Sequence, residues 1–186
     1  MLKRLVRFVP TVLPTVLLIM VLLTVLMNLV MLMMGWLEYW TNITDSMPVG
    51  VYKETEEKIT KKSYVLLCKE DSFLQRAKSE GECEDGHKPL LKSVVAEVGD
   101  VVTISDEGIF VNYRKLKNSE RLENIRIQAK NIVDYTLQDD EFLVMGRSPY
   151  SWDSRYFGIV RGSEFISQVV PVFLFYSRYE DLSFDD

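Results

Sequence analysis

Histidine is nearly missing from this chain: 186 residues contain one, His87, in the polar, proline-flanked stretch EDGHKP. A hydrolase built on a serine–histidine pair would have to use that residue. Cysteine is as scarce, with Cys68 and Cys83 alone. Two thiols and one imidazole fall short of the ligand set of a structural zinc site, so neither a metal nor a cofactor is expected. An excess of positive charge is also lacking. The 22 Lys and Arg are scattered among 27 Asp and Glu, for a net charge of −5, which leaves no electrostatic footprint for nucleic acid. Internal repeats, low-complexity tracts and Pro/Gly-rich linkers are absent as well, so everything beyond the N-terminal apolar run reads as one unit.

Charge is missing altogether from Phe8 to Leu37. At about 1.5 Å per helical residue, this run exceeds the roughly 30 Å hydrocarbon thickness of a bilayer. The expected organisation is a short cytoplasmic N-terminus and membrane entry over residues 1–13, a transmembrane helix over 14–36 and an extracytoplasmic domain over 41–186. Pro10 and Pro14 are expected at the helix entry, because proline deeper in a helix costs about 3 kcal/mol. A cleaved signal peptide competes, but its apolar core would span about 7–15 residues and close on a small-x-small site. Here the run closes on the bulky GWLEYW. Trp36, Tyr39 and Trp40 suit an interfacial aromatic belt, and Lys3, Arg4 and Arg7 place the N-terminus in the cytoplasm. The expected location is therefore the cytoplasmic (inner) membrane, crossed once, with the domain on the periplasmic or extracytoplasmic side. Disulfides persist there, so Cys68 and Cys83 are expected to pair, two unpaired buried thiols being the alternative.

The rest is read as mainly β with small helices. Strands are expected at VGVYKE, SYVLLCK, PLLKSVVAEV, DVVTI, GIFVNYRKL, EFLVMGR, RYFGIV and ISQVVPVFLFY. SFLQRAKSEG is the clearest helical stretch, with Gly81 as its stop. Residues 117–136 fit either helix or strand, and the acidic EDLSFDD reads as a solvated end.

Four polar features stand out from this background. In LLKSVVAEV, period-two alternation puts Leu90, Lys92, Val94 and Ala96 on one strand face, with Lys92 its polar member. A desolvated ammonium loses its proton more easily, so Lys92 is a candidate base, unless that face lies at the domain edge and the amine snorkels to water. In TNITDSMPVG, Pro48 disfavours helix at Met47 and Gly50 permits an unusual turn, so Ser46 stands on a constrained bend. Such a bend exposes a nucleophile, or merely joins a helix to a strand. Asn42-Ile43-Thr44 also matches a glycosylation acceptor. In SPYSWDSRYFG, Asp153 and Arg155 suit a structural ion pair and Ser151 can hydrogen-bond a neutral amine.

A membrane anchor, then TDSMPVGVY, LLKSVVAEVGD and SWDSRYFG, in this order, resembles the membrane-bound signal peptidases of the serine–lysine type. The short first motif, the insert carrying both cysteines and the compact MGRSPYSWDSRYFG are closer to the conjugative-transfer (TraF-type) branch than to the general secretory enzyme. The resemblance implies a signal-peptidase-like β domain, Ser46 as nucleophile and Lys92 as its general base. It also implies that Thr44 and the Ser46 backbone N–H hold the oxyanion, that Ser151 orients the lysine, and that Asp153 and Arg155 support the site. Ser93 stands where an arginine often follows the lysine, and Glu97-Val98 replaces the usual residues before Gly99-Asp100. Lowering a lysine from about 10.4 to near 7 requires about 4 kcal/mol of preference for the neutral amine. The implied substrate is an exported precursor still held in the bilayer, pilin-like or bearing a signal peptide, with conjugation or secretion machinery as the setting. General secretory signal peptidase and a non-enzymatic β module tethered in a secretion complex are the alternatives.

Overall fold

The computed structural model describes residues 2–69, 81–84, 86–122, 129 and 131–185, the first eleven of these by backbone alone. The body of the helix expected over 72–81 lies outside that set, as does much of the ambiguous 117–136 stretch. Residues form two compact units, Met1–Trp40 and Thr41–Asp186.

The first unit is helix α1 (Leu2–Trp36). Its Leu13–Trp36 portion is long and apolar enough to cross a membrane, and its aliphatic side chains are exposed. The helix runs through Pro10 and Pro14 instead of starting at them, so it extends beyond the predicted span. It closes where the Glu38 N–H reaches the Gly35 carbonyl at 3.2 Å and Glu38 adopts φ 60°, the left-handed turn that commonly ends helices.

The second unit is mainly β. A seven-stranded sheet has the order β1-β2-β11-β3-β4-β9-β10 and a four-stranded sheet the order β7-β6-β5-β8. The large sheet comprises β1 (Tyr39–Asn42), β2 (Val49–Thr55), β3 (Tyr64–Leu67), β4 (Leu90–Ala96), β9 (Glu141–Met145), β10 (Val160–Arg161) and β11 (Phe165–Tyr176). The small sheet comprises β5 (Val101–Ser105), β6 (Gly108–Val111), β7 (Arg114–Lys115) and β8 (Ile132–Thr136). β6 and β7 form a hairpin whose two turn residues, Asn112 and Tyr113, both have positive φ (51° and 65°), as a two-residue type I′ turn demands.

The predicted alternation in β4 holds only in part. Val94 joins Val65, Leu67 and Val144 in one apolar cluster, while Val95 and Ala96 join Val102, Ile104 and Leu143 in another. A register shift against β9 between Val94 and Ala96 turns Ala96 away from the face that Lys92 and Val94 share. Both faces of β4 are therefore buried, and a polar side chain there is enclosed on either side.

Two other expectations are corrected. RYFGIV is not one strand: Ser154–Phe157 form a single helical turn, α2, and Val160 begins β10. The Asp153 carboxylate caps that turn by accepting from the Arg155 N–H, a local bond that outweighs the strand preference of Tyr156 and Phe157. The acidic tail is not a solvated end. Phe184 bridges Leu116, the Lys117 N–H donates to the Ser183 carbonyl at 2.9 Å, and Leu182 and Phe184 pack on the cluster beneath the small sheet. Two apolar side chains within the acidic run provide that attachment.

Candidate active site

The bend that carries Ser46 is built around Asn42, the first residue of the Asn42-Ile43-Thr44 pattern that matches a glycosylation acceptor. Its side chain is buried, and its amide nitrogen donates to the carbonyls of Thr44, Met47 and Pro48, each at 3.0 Å. Its Oδ1 accepts from the Thr44 N–H at 3.1 Å and from the Thr44 hydroxyl at 2.8 Å. An amide nitrogen so engaged is closed to glycosylation in the folded chain. The Thr44 and Ser46 hydroxyls lie 3.0 Å apart. Thr44 has one hydroxyl proton and gives it to Asn42, so Ser46 is the donor in that contact. Beneath the bend, Met47 is buried and the Tyr52 hydroxyl donates to the Pro48 carbonyl at 2.5 Å. Above it, Thr44 is exposed and Ser46 half-buried, so both hydroxyls are within reach of a large substrate.

Lys92 projects from the middle of β4 and is 3% exposed. Ser93 pairs with Met145 and Val94 with Val144, so β9, which ends at Met145, leads straight into Gly146 beside the strand that carries Lys92. Gly146 is the point where the site converges. A Cβ there would lie 2.2 Å from the Ser151 Oγ and 2.9 Å from the Ser46 carbonyl oxygen, so only glycine admits both neighbours. The next residue fixes the bend directly, its Arg147 N–H donating to the Ser46 carbonyl at 2.7 Å. The loop with Ser151 and the bend with Ser46 thus meet on the backbone just after β9, the strand paired with β4.

That loop is held by an ion pair from which water is excluded. Asp153 and Arg155 are both fully buried, with Nη2 to Oδ2 at 2.6 Å and Nε to Oδ1 at 2.8 Å. Arg155 also donates to the carbonyls of Ser148, Pro149, Ser151 and Asn118, while Asp153 accepts from the Gly146 N–H at 2.9 Å. A buried pair is tolerable when its remaining hydrogen-bonding capacity is satisfied, and this one uses that capacity to fold residues 146–155. The Ser151 hydroxyl is buried and has no hydrogen-bond partner among the described residues.

Burial lowers the Lys92 ammonium from 10.5 to about 8; the Asp153 carboxylate opposes the shift and Arg155 assists it. The value stays above the neutral range expected from sequence because a carboxylate lies nearby. At pH 7 about a tenth of such a lysine is the free amine.

The remaining sequence candidates lie elsewhere. Cys68 and Cys83 are joined in a disulfide with Cα atoms 5.6 Å apart. His87 belongs to that region, where its carbonyl accepts from the Cys83 N–H at 3.2 Å. Among the described residues no group of three or more His, Cys, Asp or Glu side chains is placed to hold a metal ion. Sequence reasoning missed Asn42, Gly146 and Arg147. For Asn42 a signal existed, since Asn commonly bonds the backbone two residues on, as it does here at Thr44.

A family model described as signal peptidase, peptidase S26, matches residues 5–174. Two curated relatives, each a plasmid transfer protein TraF from Escherichia coli, are 30% identical over 142 residues and 34% identical over 145. Each match covers 70% of this chain and 80% of the relative. Among solved structures, a signal peptidase I from Enterococcus faecalis aligns over 62% of this chain and 100% of its own, with 16% identity and a TM-score of 0.38.

Proposed function

This chain belongs to the signal peptidase S26 family, and from that premise we propose that it is a membrane-anchored serine endopeptidase using Ser46 and Lys92. The observation that carries the reading is the convergence on Gly146, where the Ser46 backbone and the Ser151 side chain meet just after β9, next to the strand that holds a buried lysine lowered to about 8. A lysine enclosed on a strand with both faces buried serves no solvent-facing purpose, and its cost to the fold is explained if the free amine is used as a base.

In the proposed reaction the neutral Lys92 amine takes the Ser46 hydroxyl proton as Oγ attacks the scissile carbonyl. The tetrahedral oxyanion accepts from the Ser46 backbone N–H and from Thr44, whose hydroxyl turns from Asn42 to reach it. Lys92, now an ammonium, gives its proton to the departing amine, leaving an ester between Ser46 and the N-terminal fragment. Water activated by the same amine then cleaves that ester and restores Ser46. Ser151, whose hydroxyl is unengaged among the described residues, is assigned to orient the amine, and the Asp153–Arg155 pair to hold the loop that presents it.

The substrate class follows from the surroundings of the bend. The last five residues of β11, Val172, Phe173, Leu174, Phe175 and Tyr176, are exposed in succession, on both faces of the strand. It pairs with Val49 and Gly50, just after Ser46. With α1 as anchor, an apolar edge beside the nucleophile suits cleavage of a precursor at the outer face of the inner membrane. The plasmid transfer relatives support a role in conjugative DNA transfer, and the proposed substrate there is a pilin-like or signal-peptide-bearing precursor.

The test uses the full chain in detergent micelles and an internally quenched peptide with small residues at the first and third positions before the scissile bond. The natural chain is expected to cut it, with Ser46→Ala and Lys92→Arg inactive at undiminished folded fraction. Substantial cleavage by Lys92→Arg, which keeps the charge but has no usable base, would sink the assignment.

A further inference from the structure

We propose that Asn42 is a positioning residue of this reaction, a role that rests on the peptidase reading above. Its amide is bonded to most of the nucleophile bend: three backbone carbonyls on the nitrogen, and one N–H and one hydroxyl on the oxygen. Carbonyls from residues 44, 47 and 48 are gathered on one nitrogen, which fixes the chain on both sides of Ser46. The bend has little else to fix it from within. Its outer side chains Thr41, Ile43 and Thr44 are exposed, and its other anchors attach from neighbouring elements, at the Ser46 and Pro48 carbonyls and at the Asp45 carboxylate, which accepts from the Tyr176 hydroxyl and pairs with Arg178 near the end of the chain.

The oxygen of the same amide sets the hydroxyl order. By accepting the Thr44 proton, it leaves a Thr44 lone pair to receive the Ser46 O–H. The resting state is thus a relay, Ser46 to Thr44 to Asn42, with the Thr44 donor held off the oxyanion position. For the reaction Ser46 turns its O–H from Thr44 to the amine, and Thr44 exchanges its bond to Asn42 for one to the developing negative charge. Asn42 therefore positions the nucleophile before attack and holds the oxyanion donor in reserve, without touching substrate. A misplacement of about 1 Å in such a constellation costs on the order of a hundredfold in rate.

The experiment compares Asn42→Ala and Asn42→Asp with the natural chain, as full-length protein in micelles on the quenched peptide. Asn42→Asp keeps an oxygen for Thr44 but replaces the donor to the three carbonyls with a second acceptor. Both variants are expected to lower kcat by about 10- to 100-fold while KM changes less than threefold. The pH midpoint of kcat/KM should stay at its natural value, because Lys92 is untouched. Tyr135→Phe on the small sheet, which removes a hydrogen bond to Glu141 at the start of β9, serves as a control for general destabilisation and should lower Tm without changing kcat. Amide hydrogen exchange supplies a readout independent of turnover: the Thr44 N–H should exchange faster in Asn42→Ala, with β3 and β4 unaltered. Unchanged kcat in both Asn42 variants, or unchanged Thr44 exchange, overturns the proposal. If Ser46→Ala still cuts the peptide, the peptidase reading itself has failed, and the exchange result alone then decides whether Asn42 holds the bend.

Discussion

Replacing Lys92 by methionine should make this protein more stable and catalytically dead. The side chain is enclosed in β4, and burial lowers its ammonium from 10.5 to about 8. That difference corresponds to about 3 kcal/mol charged against the folded state at pH 7, where the amine is still mostly protonated on both sides of the unfolding equilibrium. Methionine keeps the length and the apolar stem and removes the charge, so it should recover most of this amount. For a domain of this size, that is a rise in Tm of roughly 6–12 °C. The sign of the pH dependence is fixed by the direction of the shift. Because the folded value lies below the unfolded one, the unfolded chain holds the extra proton between about 8 and 10.5. The natural protein therefore gains stability through that window, and its deficit relative to Lys92→Met should shrink from about 3 kcal/mol at pH 7 to about 1 kcal/mol at pH 10. Thermal unfolding of both full-length proteins in the same micelles, followed by far-ultraviolet circular dichroism from pH 7 to 10, measures this directly. A Tm difference near zero at pH 7, or one that does not change with pH, would refute the argument that Lys92 is a strained, desolvated amine.

Three further outcomes follow from the same geometry. If neutral Lys92 is the base, kcat/KM of the natural chain should rise about tenfold per pH unit below about 8 and level off above it; a flat profile from pH 6 to 9 would contradict this. Arg155→Met should leave the Asp153 carboxylate buried without its partner and cost about 3–5 kcal/mol, read as a lower denaturation midpoint in urea; a loss under 1 kcal/mol would mean water reaches the pair. Gly146→Ala should lower cleavage at least tenfold with the folded fraction retained, because its Cβ meets Ser151 and the Ser46 carbonyl at 2.2 and 2.9 Å; full activity would show that the two loops are not packed as described.

Much of the architecture was legible in the sequence because it rests on repeated, local patterns. The uncharged run from Phe8 to Leu37 marked α1, and alternating aliphatic stretches marked most of the strands. Errors arose where a single side-chain bond overrode propensity. The Asp153 cap turns RYF into a helical turn, and Leu182 and Phe184 tie down a tail whose composition suggests solvent. In β4 the alternation was followed one residue too far, since no property of Ala96 announces a register shift against β9.

The candidate residues divide in the same way. Ser46, Lys92, Ser151, Asp153 and Arg155 were named from motifs, and the enclosure of Lys92 was one of two readings that a one-dimensional pattern permits. The sequence by itself determined which chemical groups exist, the apolar helix at one end and the β character of the rest, because composition and periodicity act over short spans. Only the tertiary structure decided that both faces of β4 are covered, that Gly146 brings two distant loops together just after β9, and that Asn42 is a buried scaffold and no sugar acceptor. Desolvation and close approach depend on what packs from other parts of the chain, and those neighbours are separated from Lys92 and Ser46 by tens of residues.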